Sequence, residues 1–209
     1  MYSQNHEDDI VLNFFQNIES NKTVLDIGAN DGKTFSNSLL LIENGWKAHL
    51  VEPSSTFRTL MDFHKENDNV LIYPIGIGLE NGTIDFYESG SFNGDDLNLV
   101  SCVKPNEMDR WQGVVQFNKT KAIFNTFDAF LESNKLENEV FDFISIDVEG
   151  NDWDALQQID LNKHDCKLLC IEWNTKNELA NLFIEYASRF GLYEINRNAE
   201  NIIFAKKYL

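Results

Sequence analysis

The 209 residues suffice for one domain with a sizeable core, and 43% hydrophobic with 24% charged residues is typical of a globular protein. The 34 acidic residues outnumber the 17 basic ones, and the net charge of -17 disfavours binding to DNA, RNA or anionic membranes. No apolar run approaches the roughly 18 residues that a membrane span needs. We therefore expect a single domain over residues 1–209 that binds neither nucleic acid nor membrane.

The beginning of the chain and its cysteines bear on its location. The first nine residues lack the basic and apolar regions of a secretory signal. Cys102, Cys166 and Cys170 form no CxxC pair, so neither a disulfide framework nor a thiolate zinc site is indicated. These features predict a cytoplasmic protein.

The first predicted element is an amphipathic helix from Glu7 to Ile18, where apolar residues recur at helical spacing. The leader before it, residues 3–8, is dense in hydrogen-bonding groups. These groups serve either to cap the helix or to contact a ligand, and Gln4 is the candidate ligand contact.

The stretch from Thr23 to Thr34 reads T-V-L-D-I-G-A-N-D-G-K-T. An apolar, β-branched run changes into a glycine-bearing loop and then into helix-like sequence, which predicts a strand, a ligand loop and a helix from about Thr34 to Asn44. Gly28 and Gly32 let the backbone approach a ligand closely, and Asn30 between them tolerates a positive φ.

Spacing separates the nucleotide loops that this stretch could form. The phosphate loop GxxxxGK[ST] and the dinucleotide fingerprint GxGxxG both fail on register. The acidic residues Asp26 and Asp31 would repel a pyrophosphate but suit a ligand that carries an ammonium and a sulfonium group. The loop therefore points to S-adenosylmethionine, and the alternative is a strand-to-turn junction that binds nothing.

The second strand, Lys47 to Val51, ends at a carboxylate that suits the same ligand. Glu52 follows Gly32 by about 20 residues, the offset at which an acidic side chain accepts hydrogen bonds from ribose hydroxyls. The alternative is an exposed carboxylate at a strand end. A third strand is predicted from Val70 to Ile77, and Ile77 with its flanking glycines is a candidate contact for an adenine ring.

After a helix from Ser55 to Asn67 and an added strand from Thr83 to Tyr87, the chain loses its periodicity. We interpret Glu88 to Lys121 as an insertion. Long aperiodic segments within a domain are usually functional, so this insertion is the candidate lid over the acceptor.

A strongly apolar strand from Phe141 to Ile146 leads into Asp147-Val148-Glu149-Gly150. If the extended conformation continues, both carboxylates point to the same side at the carboxyl edge of the sheet. Asp147 and Glu149 are therefore the catalytic candidates. The alternative is that they cap the helix predicted from Trp153 to Ile159.

The next strand, Leu168 to Ile171, ends at Glu172-Trp173-Asn174. Asp147, Glu172 and Asn174 together would form an oxygen-rich cluster suited to Mg²⁺. Asp147 could then act either as a general base or as a ligand of a divalent metal.

The chain closes with a helix from Asn177 to Phe190 and two strands, Tyr193 to Asn196 and Asn201 to Ala205. The connection between these strands is too short for a parallel crossover, so they must form an antiparallel hairpin. The pattern predicts an α/β protein with a seven-stranded, mostly parallel sheet.

The sequence resembles the FkbM-type family of S-adenosylmethionine-dependent class I methyltransferases. The resemblance implies the Rossmann-like fold of that class, with helices on both faces of a sheet in the order 3-2-1-4-5-7-6, the cofactor over strands one and two, and O-methylation. Two departures are His6, where the family often has glycine, and Ser145, where it has lysine. The stretches that carry the resemblance are Ser3-Gln4 with Glu7-Asp8, Val24 to Gly32, Val51-Glu52-Pro53, Thr126-Phe127-Asp128 and Ile146 to Gly150.

Family members act on varied hydroxyl groups, so the resemblance implies no particular acceptor. The acidic net charge favours a sugar or another small hydroxylated metabolite. The alternatives are a nucleotide or S-adenosylmethionine binding module without chemistry, and then an NAD-dependent dehydrogenase. Asp147 and Glu149 argue against the first alternative, and the register of the loop argues against the second.

Overall fold

Apolar runs bounded by polar turn residues form the strands of this protein, as hydrophobic patterning requires. The computed structural model describes residues 1–92, 95–96 and 98–207. The strands are β1 (Thr23–Ile27), β2 (Lys47–Val51), β3 (Val70–Tyr73), β4 (Gly76–Ile77), β5 (Gly82–Ser89), β6 (Ser91–Phe92), β7 (Asp95–Asp96), β8 (Phe117–Asn125), β9 (Phe143–Ile146), β10 (Leu168–Glu172), β11 (Leu192–Arg197) and β12 (Asn201–Lys206). The helices are α1 (Glu7–Phe15), α2 (Leu39–Glu43), α3 (Phe57–His64), α4 (Phe127–Asn134), α5 (Asp152–Leu156) and α6 (Asn177–Arg189), and a 3-10 helix spans Pro105–Trp111.

Among the described helices, none has the length and apolar character to cross a membrane.

Seven strands form the central sheet, in the order β11-β12-β10-β9-β1-β2-β3. The five strands from β10 to β3 are parallel to one another, whereas β12 is antiparallel to both β10 and β11. This arrangement confirms the predicted seven-stranded, mostly parallel sheet with a terminal antiparallel hairpin. Counted along the chain, the seven strands have the order 3-2-1-4-5-7-6 that the resemblance implies.

Alternation of side chains along the buried strands divides the hydrophobic core into two layers. Val24 and Leu25 are neighbours in β1, so they point to opposite faces of the sheet. Val24 lies in the layer with residues of α1, α2 and α3, and Leu25 lies in the layer with residues of α4, α5 and α6. Helices therefore cover both faces, which explains why β1 is buried along its whole length.

A second, smaller sheet has the order β4-β8-β5, and β6 pairs with β7 beside it in sequence. The prediction of one strand from Val70 to Ile77 was wrong, because β3 stops at Tyr73 and β4 pairs with β8 instead. Pro74 stands at the break, and proline has no N–H to donate to a strand ladder.

The predicted insertion from Glu88 to Lys121 has more regular structure than its sequence indicates. It contains the 3-10 helix and the first half of β8, while residues 93, 94 and 97 lie outside the described part. Strand β8 escaped prediction because only Ala122 and Phe124 are buried among its nine residues, so no alternating apolar pattern marks it.

Helix α2 begins at Leu39, five residues later than the Thr34 start expected from the sequence. The Asp31 carboxylate accepts hydrogen bonds from the backbone N–H groups of Lys33 and Thr34, at 2.8 and 2.7 Å. The hydroxyl oxygen of Ser36 accepts another from the N–H of Leu39, at 3.0 Å. Such local bonds from side chains to the backbone compete with helix formation, so the ligand loop extends further along the chain.

At the amino-terminal edge of the sheet, a buried ion pair joins three strands or their flanks. The Asp142 carboxylate, which is fully buried, accepts hydrogen bonds from Lys167 Nζ at 2.6 Å and from the N–H of Thr23 at 3.1 Å. Lys167 Nζ also contacts Asp165, at 2.9 Å. This pair fixes the starts of β1, β9 and β10 relative to one another.

We expect Asp142→Asn to destabilise the fold by about 3 kcal/mol, near the lower limit for breaking a buried pair, because Asp165 still contacts the Lys167 ammonium. Chemical denaturation measures the loss. The matched control is Asp62→Asn, which breaks the exposed Asp62–Lys65 pair and should cost less than about 1 kcal/mol. Equal losses in the two variants would contradict the structural role of Asp142.

Candidate active site

A cavity of about 360 Å³ lies where β1, β2, β9 and β10 end. The carboxyl edge of a parallel sheet is where open α/β folds bind ligands. Eight of the ten residues predicted to bind the cofactor or perform chemistry line this cavity, and Asp31 and Gly32 are outside its lining. The eight are Gln4, Asp26, Gly28, Asn30, Glu52, Ile77, Asp147 and Glu149.

Gly28 brings the end of β1 against the end of β9. Its φ is +94°, and a Cβ atom at this position would lie 1.8 Å from the backbone oxygen of Asp147. The N–H groups of Gly28 and Ala29 both donate to the carbonyl of Val51 at the end of β2. Any side chain at position 28 would therefore force the ends of β1 and β9 apart.

Glu52 lies at the end of β2 and holds the loop that follows β1. One carboxylate oxygen accepts from the N–H of Asn30 at 2.8 Å, and the other accepts from the N–H of Ser54 at 2.7 Å. Burial raises the pKa of Glu52 despite these hydrogen bonds. The carboxylate is thus held rigidly against the cavity.

Asn30 has a backbone φ of 48°, the left-handed conformation predicted for it. Its side-chain oxygen and nitrogen are both buried and have no hydrogen-bond partner among the described residues. Buried polar groups are almost always paired in folded proteins. An unpaired amide in a cavity wall therefore indicates a place for polar groups of a ligand.

Asp31 and Gly32 support the loop from outside the cavity lining. The carboxylate of Asp31 bonds to Lys33 and Thr34 within the loop. Gly32 packs on α3, where an added Cβ would lie 2.4 Å from Leu60 Cδ1. Their proposed contact with a ligand stays a prediction.

Asp26 is the buried carboxylate of β1 itself. It accepts a hydrogen bond from the Ser38 hydroxyl at 2.5 Å, which ties the strand to the residue before α2. Burial raises the pKa of Asp26 to about 6, although the bond from Ser38 opposes this shift.

Asp147, Asp152 and Glu172 form a carboxylate cluster at the ends of β9 and β10 and at the start of α5. One oxygen of each lies within 4.8 Å of the others. Burial, with the negative charges of Asp152 and Asp26, raises the pKa of Asp147 to about 8, even though its side chain is open to the cavity. Burial and the charge of Asp147 likewise raise the pKa of Glu172 well above its usual range.

Sequence reasoning paired Asp147 with Glu172 and Asn174 but missed Asp152. Asn174 lines the cavity, but the three-carboxylate cluster contains Asp152 in its place. The Asp152 carboxylate accepts from the N–H groups of Val148 and Gly150, at 3.0 and 3.1 Å, and so folds the chain back after β9. The spacing D-x-E-G-x-D carried this signal, because the short side chain of an aspartate can accept hydrogen bonds from backbone N–H groups a few residues away.

The extended conformation does not continue to Glu149, whose φ is 49°. Glu149 nevertheless lines the cavity, 3.9 Å from the guanidinium of Arg110 on the 3-10 helix. Burial and the charge of Asp147 raise the pKa of Glu149 well above its usual range. A turn, rather than the alternation of side chains along a strand, therefore brings the two predicted catalytic carboxylates into one cavity.

The leader before α1 lies against the ligand loop. Ser3 forms a backbone bridge with Phe35, and its hydroxyl donates to the Asp8 carboxylate at 2.6 Å and accepts from the Asp8 N–H at 3.2 Å. Gln4, the next residue, lies in the cavity wall, while the N-cap residue of α1, His6, makes no side-chain capping bond. Glu7 is fully buried and accepts from Asn198 and Asn201 in the terminal hairpin.

The insertion supplies the remaining wall of the cavity, with Val100, Val103, Arg110 and Trp111 among its residues. Lys104 Nζ holds it to the body of the protein by contacts with the Gly150 carbonyl at 3.0 Å and Asp154 at 2.8 Å.

These features define a class of protein. The strand order, the cavity at the carboxyl edge and the acidic residue after the second strand belong to the class I methyltransferase fold. A family model described as the methyltransferase FkbM domain matches residues 26–193. The chain therefore belongs to the FkbM methyltransferase family.

Solved structures support the same fold. Methyltransferase FkbM from Methylobacillus flagellatus aligns with a TM-score of 0.53 and 14% identity over 88% of this chain. The aligned part is 43% of that protein, so the chain spans less than half of its length. The METTL16 methyltransferase domain aligns with a TM-score of 0.51 and 12% identity, over 97% of this chain and 66% of that one. Comparison with curated protein sequences finds no match.

We expect the ligand-free protein, in a buffer with chelator, to lose thermal stability as the pH rises from about 6.5 to about 8.5. A carboxyl whose pKa is raised on folding contributes most below its unfolded pKa, 3.8 for an aspartate, and this contribution falls as the pH rises until it levels off above the folded pKa, which is about 8 for Asp147. Differential scanning fluorimetry measures the trend.

Asp147→Asn should flatten this dependence on pH, because it removes the titrating charge. Asp85→Asn is the control, since the hydrogen bond from Lys119 lowers the pKa of Asp85 far from this range. The same slope in wild type and Asp147→Asn would contradict the assignment.

Proposed function

We propose that this protein transfers the methyl group of S-adenosylmethionine to a hydroxyl oxygen of a sugar or another small metabolite. The observation that carries the proposal is the unpaired amide of Asn30, which lies in an acidic cavity beside the Glu52 carboxylate. Membership of a methyltransferase family supports the class of reaction.

The residues of the cavity fit this cofactor. Glu52 has two fixed carboxylate oxygens, which suit the paired hydroxyls of a ribose. Gly76 and Ile77 line the cavity beside Phe124, whose ring packs closely on Gly76, and these apolar groups offer a wall for the adenine. Gln4 and Asn30 supply neutral polar groups for the remaining hydrogen bonds of the cofactor.

Charge supports a cofactor that carries cationic groups. Asp26, Glu52, Asp147 and Glu172 all line the cavity, and burial raises the pKa of each of them. A ligand with ammonium and sulfonium charges would favour the ionised forms of these carboxylates. A dinucleotide would bring two phosphates to the same wall, which argues against the dehydrogenase alternative.

The insertion is proposed to cover the acceptor. Trp111 and Val100 give it an apolar surface, while Arg110 supplies a cation beside Glu149. Such a mixed wall suits a small molecule with an apolar face and several hydroxyl groups. The net charge of -17 supports the proposal that the acceptor is not a nucleic acid. The buried free thiols of the three cysteines support a cytoplasmic location.

S-adenosylmethionine supplies an electrophilic methyl group on a sulfonium. The acceptor oxygen forms the new C–O bond as the S–C bond breaks, and the electron pair of that bond goes to sulfur. The proton of the hydroxyl must leave, and the Asp147 carboxylate is proposed to take it. Because burial raises the pKa of Asp147 to about 8, its ionised form accepts a proton more readily than an ordinary aspartate at neutral pH.

We expect Glu52→Gln to weaken S-adenosylmethionine binding by about 1–3 kcal/mol, or roughly 5- to 150-fold in Kd, because a ribose hydroxyl loses its charged acceptor. Isothermal titration calorimetry measures the change, with NAD and ATP as competing candidates. Glu66→Gln, at an exposed position after α3, is the control. A Glu52→Gln variant that titrates like the wild type would show that the ribose assignment is wrong.

We expect Asp147→Asn to lower the rate of methyl transfer by roughly 10²- to 10⁴-fold, the usual contribution of a positioned base. Transfer from labelled S-adenosylmethionine to a library of hydroxylated metabolites provides the assay, and calorimetry checks that the cofactor still binds. Glu149→Gln is the matched comparison in the same cavity. A wild-type rate in Asp147→Asn would leave Asp147 with no role as base, and binding without transfer to any acceptor would favour the non-catalytic binding module.

A further inference from the structure

The carboxylate cluster of Asp147, Asp152 and Glu172 lacks a cation of its own. Within the described chain, none of the three carboxylates forms an ion pair with a lysine or arginine. The nearby cations are engaged elsewhere, because Lys176 pairs with Glu107 at 3.0 Å and Arg110 lies between Glu107 and Glu149. Three carboxylates so close together repel one another unless a proton or a cation separates them.

Glu172 gives a second, independent observation. Its side chain is only 6% exposed, and its Oε2 atom is buried with no hydrogen-bond partner among the described residues. Glu172 also lines the cavity that Asp147 faces. A buried carboxylate oxygen without a donor is a costly arrangement, which a bound cation would relieve.

The backbone holds each member of the cluster in place. The N–H of Asp147 donates to Ile27 at 3.0 Å, Asp152 is fixed by two N–H groups of the turn before it, and Glu172 is paired with Asn201 in the sheet. The backbone at each of the three carboxylates is therefore held by hydrogen bonds or by pairing in the sheet. Such a preorganised set costs little ordering when an ion binds.

We propose that Asp147, Asp152 and Glu172 bind a divalent cation of the Mg²⁺ or Mn²⁺ type. Three oxygen ligands without nitrogen or sulfur suit hard cations, and oxygens within 4.8 Å of one another can share one ion at bonds of about 2.0–2.4 Å. Three protein ligands leave further positions of an octahedral ion open to water or to oxygens of an acceptor.

This inference deepens the proposed function and rests on it for the role of the ion. A cation bound beside the acceptor would orient two of its oxygens and lower the pKa of the reacting hydroxyl. Asp147 would then act as a ligand instead of as the base, and Glu149, which lines the same cavity, would take the proton of the hydroxyl. The rival occupant of the cluster is the ammonium group of S-adenosylmethionine, and the two occupants predict different experiments.

The test titrates chelator-treated, cofactor-free protein with Mn²⁺ and follows free Mn²⁺ by electron paramagnetic resonance. We expect one site, which Glu172→Gln weakens by at least about tenfold, since even changes around a metal's ligands cost roughly 10- to 100-fold in affinity. Glu200→Gln is the matched control, because it removes a charge from the same cavity wall but no member of the cluster. Asp152→Asn is the second variant, should Glu172→Gln fail to fold.

A second titration contains saturating S-adenosylhomocysteine, which retains the ammonium group. Simultaneous binding of Mn²⁺ supports the proposal, whereas displacement of Mn²⁺ assigns the cluster to the ammonium group and overturns it. Absence of Mn²⁺ binding to the wild type, or equal loss in Glu172→Gln and Glu200→Gln, also overturns it. If the protein binds S-adenosylmethionine but not Mn²⁺, only this inference fails; if it binds Mn²⁺ but not S-adenosylmethionine, the proposed function fails and the metal site stands.

Discussion

Burial of carboxylates without cationic partners is the constraint on which the cavity depends. Each carboxylate at the carboxyl edge of the sheet carries a desolvation cost, and each raises the pKa of its neighbours. The rest of the molecule must hold them together against this repulsion. The two apolar layers, the parallel strand ladders and the close approach of Gly28 to Asp147 supply that resistance. Sites that are destabilised in this way are typical of places where a protein trades stability for binding.

The acidic side chains at the two edges of the sheet differ in whether they have a cationic partner. At the amino-terminal edge, Asp142 is satisfied by Lys167 and by a backbone N–H. At the carboxyl edge, Asp147 and Glu172 have no lysine or arginine within ion-pair distance in the described chain. The same residue types thus support the fold at one edge and face a ligand cavity at the other. Burial and residue type alone do not separate these roles; the presence of a partner does.

Most of the fold could be predicted from the sequence, because buried parallel strands are short apolar runs. Strand β2 has the predicted bounds, and the terminal hairpin follows from a connection too short to cross over. Strand β8 and the late start of α2 could not be predicted in the same way. The first has only two buried residues among its nine, and the second depends on side-chain bonds of Asp31 and Ser36 that periodicity does not record.

The candidate site was predictable where a residue follows a strand directly, as Glu52 and Asp147 do. Asp152 lies six residues beyond the end of β9, so its approach to Glu172 depends on the turn through Glu149 and Gly150 rather than on any strand. The positions of strand ends in the sequence do not predict contacts that depend on the path of a turn. The positive φ values at Glu149 and Gly150, together with the hydrogen bonds that Asp152 accepts from this turn, carry the chain back over the cavity.

The pairing of β5 with β8 has a consequence for how such a protein diversifies. These strands pair along their length, from Gly82 opposite Phe124 to Ser89 opposite Phe117. The segment that joins them therefore begins and ends at residues that lie opposite each other in the sheet, Ser89 and Phe117, whatever the length or composition of the segment. Lengthening a connection of this kind costs little free energy, since the cost of closing a loop grows only with the logarithm of its length. The segment that forms one wall of the cavity can therefore be replaced by a segment of different length or sequence, while the strands that carry the opposite wall keep their register.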